Sequence, residues 1–437
     1  MNRIANYFLF LVALVYIASS PIGFANDEIP GAQQQKPIAL TNARIYTISQ
    51  GIIPSGTVVF DKGKITAVGQ NVQIPADATV INCIGKLIYP GFIAPVSSIG
   101  LVEIEAVRAT RDVAEVGQYN PNAKAEVAYN PESELIPTIR SNGVLLANVV
   151  PDGGIISGRS SFMQLDGWTR EDIALKRVSG LSVHFPQMSV FTAWWMRKTA
   201  EEQRKENEKN LIELNKYFQE AKMYSDAAKN GLTESIKDIR LEAMRGVFED
   251  NVPVLIEAND EKQIRGAIAF VQKFNLRGVI VGGNDAWKCT DELREANIPV
   301  IIQRVHSVPW RDEEGYDACY TLAAKLAAAK IKFAFSEGGS WQQRNLPFEA
   351  GTAIAFGLSE NDALRALTLA PAEILGVSDR VGSIEVGKDA TLFVSKGNAL
   401  DGITNSVENA YIQGRVVSLS NKQTKLAKKY RTRYEQK

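Results

Sequence analysis

Between Gly91 and Ala350 the chain alternates short apolar runs of β type with stretches of helical spacing, and this limits the fold more than any other feature. The apolar runs cover residues 144–150, 252–257, 277–281, 299–302 and 332–335, with helical patterns at 261–274, 291–296 and 321–329 between them. Near-continuous apolar strands are buried on both faces, and strands linked through a helix run parallel. The pattern therefore predicts an α/β fold of βαβ units. A segment of about 250 residues has the usual size of an eight-fold barrel, although the pattern fits an open doubly wound sheet equally well.

The flanks of this region differ from it. Residues 38–89 read as short strands with turns, among them the hairpin Asp61-Lys62-Gly63-Lys64, and residues 390–394 and 409–419 read the same way around a Gln413-Gly414 turn. Two β segments on either side of an α/β middle are expected to pair into one small sandwich. Residues 194–230 are charge-rich and nearly free of helix breakers, which predicts a long exposed helical insertion anchored by Trp194, Trp195 and Met196. Residues 421–437 are basic and polar, and read as a frayed tail without an apolar stripe.

At the N-terminus, Arg3, an apolar run at residues 7–17 and small residues up to Ala25 fit a signal peptide over residues 1–25, which places the chain in the periplasm or outside the cell. The apolar run is shorter than the ~20 residues that cross a bilayer, so no integral membrane segment is expected after cleavage. With 49 Lys+Arg against 49 Asp+Glu there is no global field for a polyanion, and no nucleic-acid partner is expected. Cys83, Cys289 and Cys319 have no zinc-type spacing; buried thiols are the preferred reading, and a Cys289–Cys319 bridge the alternative.

Two motifs carry a family resemblance. Gly85-Lys86-Leu87-Ile88-Tyr89-Pro90-Gly91-Phe92-Ile93 resembles the segment that leads the amidohydrolase sandwich into its barrel. Pro371-Ala372-Glu373-Ile374-Leu375-Gly376, followed by Gly382-Ser383-Ile384-Glu385-Val386-Gly387-Lys388-Asp389-Ala390, is similar to the return from barrel to sandwich in imidazolonepropionase-like and prolidase-like amidohydrolases. The resemblance implies a (β/α)8 TIM-like barrel at residues 91–375. It also implies a β-sandwich made from residues 26–90 and 376–420.

The resemblance further implies metal ligands that this chain lacks. The family's first-strand histidines correspond to Val96 and Ser98, and its fifth-strand histidines to Glu257 and Asn259. Its sixth strand ends here in Gly282-Gly283, and the nearest carboxylate on the eighth is Glu337. Family hydrolysis of C–N bonds uses zinc or another divalent metal to acidify water, and such a site needs about three protein donors. Only His184 and His306 are present in the whole chain, so no bound metal or other cofactor is expected.

His306 follows the 299–302 strand onto the face where barrel active sites lie, and with Glu257 and Glu337 it is a candidate catalytic residue. His184 reads as a packed loop histidine. Arg111, Arg159, Asn259, Asn284 and Asp285 are candidate ligand-binding residues, Arg159 because the Gly-rich segment 151–161 could offer backbone amides to an anion. There is no Gly-x-Ser-x-Gly elbow, Walker loop or His-Glu-x-x-His.

Three functional readings follow. The first is a barrel that has lost metal hydrolysis and binds a small-molecule or peptide-like ligand, or pairs with another copy or with an active amidohydrolase. The second is an active hydrolase with a carboxylate-based metal site, and the third a periplasmic solute-binding protein.

Overall fold

A computed structural model describes residues 28–190, 197–232 and 237–436. The signal peptide and the Trp194-Trp195-Met196 anchor lie outside the described residues.

The strands form two eight-stranded sheets. One contains β1 (Ile38–Tyr46), β2 (Ile52–Asp61), β3 (Lys64–Gly69), β4 (Thr79–Asn82) and β5 (Leu87–Pro90) from the N-terminal side. It is joined by β14 (Leu392–Ser395), β15 (Val407–Ile412) and β16 (Arg415–Val417) from the C-terminal side. The two segments meet where β14 pairs antiparallel with β5, Leu392 opposite Pro90 and Ser395 opposite Leu87. This is the small sandwich of the amidohydrolase plan, with Phe60 packed edge-on to Tyr411 in its core.

The second sheet is the barrel: β6 (Phe92–Ser97), β7 (Val144–Val149), β8 (Ile156–Gln164), β9 (Ala174–His184), β10 (Val254–Ala258), β11 (Gly278–Gly282), β12 (Val300–Gln303) and β13 (Phe333–Ser336), in that spatial order. The structure is thus the TIM-like barrel with a sandwich, and the open-sheet alternative falls away. One strand departs from the ideal barrel: β8 runs antiparallel to both neighbours, so β7, β8 and β9 form a meander inside an otherwise parallel ring. The Gly-rich segment expected to be a loop is a loop only to Ile155.

The reason is that two of β8's buried serines, Ser160 and Ser161, are satisfied sideways. Ser160 Oγ lies 3.0 Å from Ser179 Oγ and Ser161 Oγ donates to the Arg177 carbonyl at 2.8 Å, while Asn148 Nδ2 donates to the Pro95 carbonyl at 3.0 Å. Buried hydroxyls paired in this way cost little, so a polar-looking run lies in the wall of the barrel. Between β13 and β6 there is no backbone ladder. The ring closes there through Ser336 Oγ and Gln343 Nε2, which donate to the Val96 carbonyl at 2.8 and 2.9 Å.

The insertion is a helix over Ala200–Lys229, started by a capping box between Thr199 and Glu202. It is not wholly exposed. Leu214, Phe218 and Ala221 are buried, and Phe218 packs edge-on to Phe270 of the helix Glu261–Phe274 at 4.8 Å. Residues 421–437 do not fray as expected: Lys422–Glu435 is a helix with its own capping box at Asn421 and no buried residue. Among the described residues no helix is long and apolar enough to cross a membrane. All three cysteines are free thiols, with Cys83 and Cys289 buried and Cys319 partly so.

Candidate functional site

The parallel barrel strands end on one face and surround a cavity of about 520 Å³. Its lining comes from strand ends: Ser97 and Ser98 after β6, Val150 to Asp152 after β7, Ser182 and His184 on β9, Glu257 on β10, Val281 on β11, Gln303 on β12 and Gly338-Gly339 beyond β13. The loop after β6 adds Val102, Glu105, Arg111 and Val113.

His184 dominates the electrostatics of this cavity. The register of β9 on β10 sets it directly opposite Glu257. Its Nδ1 lies 2.8 Å from Glu257 Oε2 and its Nε2 3.0 Å from Asp152 Oδ1. Burial alone would lower the pKa of the imidazole, but the two carboxylates outweigh it and push the pKa up to about 10. The neighbouring His184 imidazolium in turn holds the Asp152 carboxyl below its usual range. At neutral pH the cavity therefore contains an imidazolium flanked by two carboxylates. Glu105 and Arg111, both exposed on the loop beyond β6, form no ion pair among the described residues.

Glu337 and His306 belong to a second cluster behind the cavity wall. Arg304, in the left-handed conformation (φ 65°), turns the chain out of β12. The His306 amide then donates to Glu349 Oε2 at 2.8 Å, with His306 Nδ1 3.1 Å from Glu349 Oε1 and Nε2 2.7 Å from Thr352 Oγ1. Glu337 is only 3% exposed and Arg304 Nε is 3.6 Å from it. Burial and the neighbouring Glu349 charge raise its pKa to about 7, against the pull of Arg304.

The sequence-predicted residues are thus dispersed. Glu257 and Arg111 line the cavity; Glu337 sits behind Gly338, and His306 is tied down by Glu349 and Thr352. Arg159 is not at the mouth. It sits on β8, its amide donates to the Ala123 carbonyl at 2.9 Å, and its Nη2 reaches the Asn122 carbonyl at 3.4 Å, so neither it nor the segment's paired amides faces an anion. Asp285 is a buried structural acid, 2.7 Å from Arg311 Nη2 and 3.0 Å from Lys288 Nζ. Asn284 lines a separate surface cleft with Trp287 and Trp310. Asn259 packs its side chain against Gly282, and its backbone N–H donates to Gln263 Oε1 at 2.8 Å.

Sequence reasoning missed Asp152, Glu349 and the role of His184. Asp152 had a usable signal, since it stands just beyond an apolar strand end. His184 had a weaker one: it stands at the end of a possible strand, but both of its acidic partners are distant in sequence.

The donor set does not fit the family's metal. Val96 presents a side chain with no donor atom, and Ser98 a hydroxyl. Gly282 has φ 93°, so a side chain there would be strained, and a Cβ would displace the Asn259 amide. His184, between two acids, would have to give up a proton that both favour before its nitrogen could ligate. Among the described residues no group of three or more His, Cys, Asp or Glu is arranged to hold a metal ion.

The amidohydrolase family profile matches residues 321–417. The chain is 39% identical over 59 residues to an imidazolonepropionase of Vibrio cholerae serotype O1, a stretch covering 12% of this chain and 15% of that protein. It is 30% identical over 108 residues to an imidazolonepropionase of Flavobacterium psychrophilum, covering 22% and 26%. The matched stretches thus span only a small part of these curated relatives. In structure it is similar to an amidohydrolase from Thermotoga maritima MSB8, with a TM-score of 0.76 and 27% identity over 87% of this chain and 99% of that one.

Proposed function

We propose that this chain, which belongs to the amidohydrolase superfamily, is an exported, metal-free binding protein for a small zwitterionic, peptide-like ligand. One observation carries the reading: the cation in the barrel mouth is the chain's own imidazolium, His184, held between Asp152 and Glu257 where metal donors would be needed. Arg111 and Glu105 are the charges left over in the cavity lining. A guanidinium pairs well with a ligand carboxylate, and a carboxylate with an ammonium. The alternative, retained hydrolysis at a carboxylate-held metal, rests on Glu257 and Glu337, and these are each committed to a different imidazole cluster.

Elemental analysis of the purified protein together with a thermal-shift screen of dipeptides and amino acids tests the proposal. Less than stoichiometric divalent metal is expected, with a ligand-dependent rise in melting temperature and no turnover. In that screen Arg111→Ala weakens binding of a carboxylate ligand about tenfold, an effect of ~1.4 kcal/mol, without lowering the melting point of the free protein. Tightly bound stoichiometric zinc, with activity lost on chelation, ends this reading. Export is tested by N-terminal sequencing of the mature protein, expected to begin at Asn26.

A further inference from the structure

We infer that the C-terminal helix Lys422–Glu435 is a docking element for an anionic phospholipid surface. The helix carries Lys422, Lys425, Lys428, Lys429, Arg431 and Arg433 against a single acid, Glu435, in a chain whose total charge is zero. Among the described residues, Lys422, Lys428, Lys429, Arg431 and Arg433 form no ion pair, so the protein's own acids do not neutralise this field.

Leu426, Tyr430 and Tyr434 recur every four residues and make one stripe along the helix, exposed by 42%, 51% and 72%. At 100° per residue, Arg433, Lys422 and Lys429 flank this stripe on one side and Arg431 on the other, while Lys425 and Lys428 lie across the opposite face. Exposure increases along the stripe because the helix is held to the body at its start. There Gln423 Oε1 accepts from Thr138 Oγ1 at 2.8 Å and Asn421 is buried, and no residue beyond is buried.

A basic helix with a narrow aromatic and aliphatic face lies in the plane of a bilayer interface, its tyrosines at headgroup level and its lysines on anionic headgroups. The other occupants fit less well. A second copy of the same face would bring like charges together, and a nucleic acid would leave the apolar stripe without a partner. The helix contributes nothing to the cavity lining, so lipid docking leaves the barrel mouth free to bind.

The test is co-sedimentation of the full chain with vesicles of phosphatidylcholine alone or mixed with phosphatidylglycerol. Partitioning is expected to be at least tenfold stronger on the anionic vesicles and to collapse at about 0.5 M salt, where surface charges are screened. Lys429→Glu with Arg433→Glu, both beside the stripe, is expected to reduce it about tenfold or more, each charge at the surface mattering separately. Leu426→Gln with Tyr430→Ser is expected to weaken it too, with circular dichroism verifying that both variants fold. Equal binding to the two vesicle types, binding to neither, or capture of an RNA homopolymer without vesicles overturns the inference. So does a concentration-dependent dimer, seen by sedimentation velocity, that Tyr430→Ser abolishes.

Discussion

The segment 321–417, which matches the family profile, and the barrel mouth, most of whose lining lies outside that segment, fold into one molecule under different constraints. The matched segment closes the barrel and returns to the sandwich, and it contributes only Gly338 and Gly339 to the cavity lining. At its turn, Asp389 is buried between Lys64 Nζ at 2.6 Å and Arg380 Nη2 at 2.7 Å, joining the two β segments of the sandwich. Change there breaks the architecture. The side chains at the mouth come from earlier strand ends and are only partly buried, as in His184 and Glu257. Strand ends bear little packing, so their donors can be exchanged while the scaffold sequence persists.

The largest effect that sharpens this contrast belongs to the scaffold. Asp389→Ala removes the buried acid shared by Lys64, Arg380 and Gln413 and is expected to cost about 2–3 kcal/mol in urea unfolding at neutral pH, because the two cations it leaves are partly exposed and can be solvated. A loss below about 1 kcal/mol, typical of surface pairs, would dissolve the distinction between the two regions.

His184→Gln comes next and acts through pH. The folded pKa of His184, about 10, lies above the ordinary histidine value of 6.5. Its contribution is therefore complete below about pH 6.5 and is lost as pH rises through the folded value. With both acids partly solvated, we expect about 1–2 kcal/mol rather than the full shift. Wild-type stability should fall between about pH 6.5 and 10, and the variant should lack that slope. A parallel slope in both proteins would show that the imidazolium is not held.

The smallest effect is at Glu337, whose folded pKa of about 7 lies above the ordinary 4.5 for glutamate. A raised carboxyl favours the fold below its unfolded pKa, and this support is lost as pH rises through about 7. Glu337→Gln, neutral throughout, should therefore be more stable than the wild type at pH 8 by on the order of 1 kcal/mol and indistinguishable near pH 4. Destabilisation at pH 8 would mean that the carboxylate is needed for Arg304.

Much of the fold was legible because buried parallel strands declare themselves as apolar runs: 254–258, 278–282, 300–303 and 333–336 all emerge from periodicity. The sandwich was legible from its turns. β8 was not, because the Gly- and Ser-rich run 151–161 shows no apolar strand pattern, while Ser160 and Ser161 find their partners on a strand whose pairing the sequence does not reveal. The site was legible only where one residue sufficed, as with Glu257 and Arg111. His184 gains its character from Glu257 across a strand ladder and from Asp152 across a loop, and such lateral neighbours leave no local pattern. The basic tail was misread for a related reason: Leu426, Tyr430 and Tyr434 form a stripe only once wound into a helix.

A ring of strands tears first where it is stitched most thinly. Between β13 and β6 the stitching consists of two side chains donating to the Val96 carbonyl and of Ser97 Oγ and the Ser98 amide donating to the Gly339 carbonyl, in place of a row of amides. Amides near this join should trade deuterium sooner than those of the β7–β9 meander, whose partners are close along the chain and can re-form quickly. Breathing of the barrel would then start beside Ser97 and Gly339, two residues of the cavity rim, so that a guest could find its doorway in the weakest part of the wall.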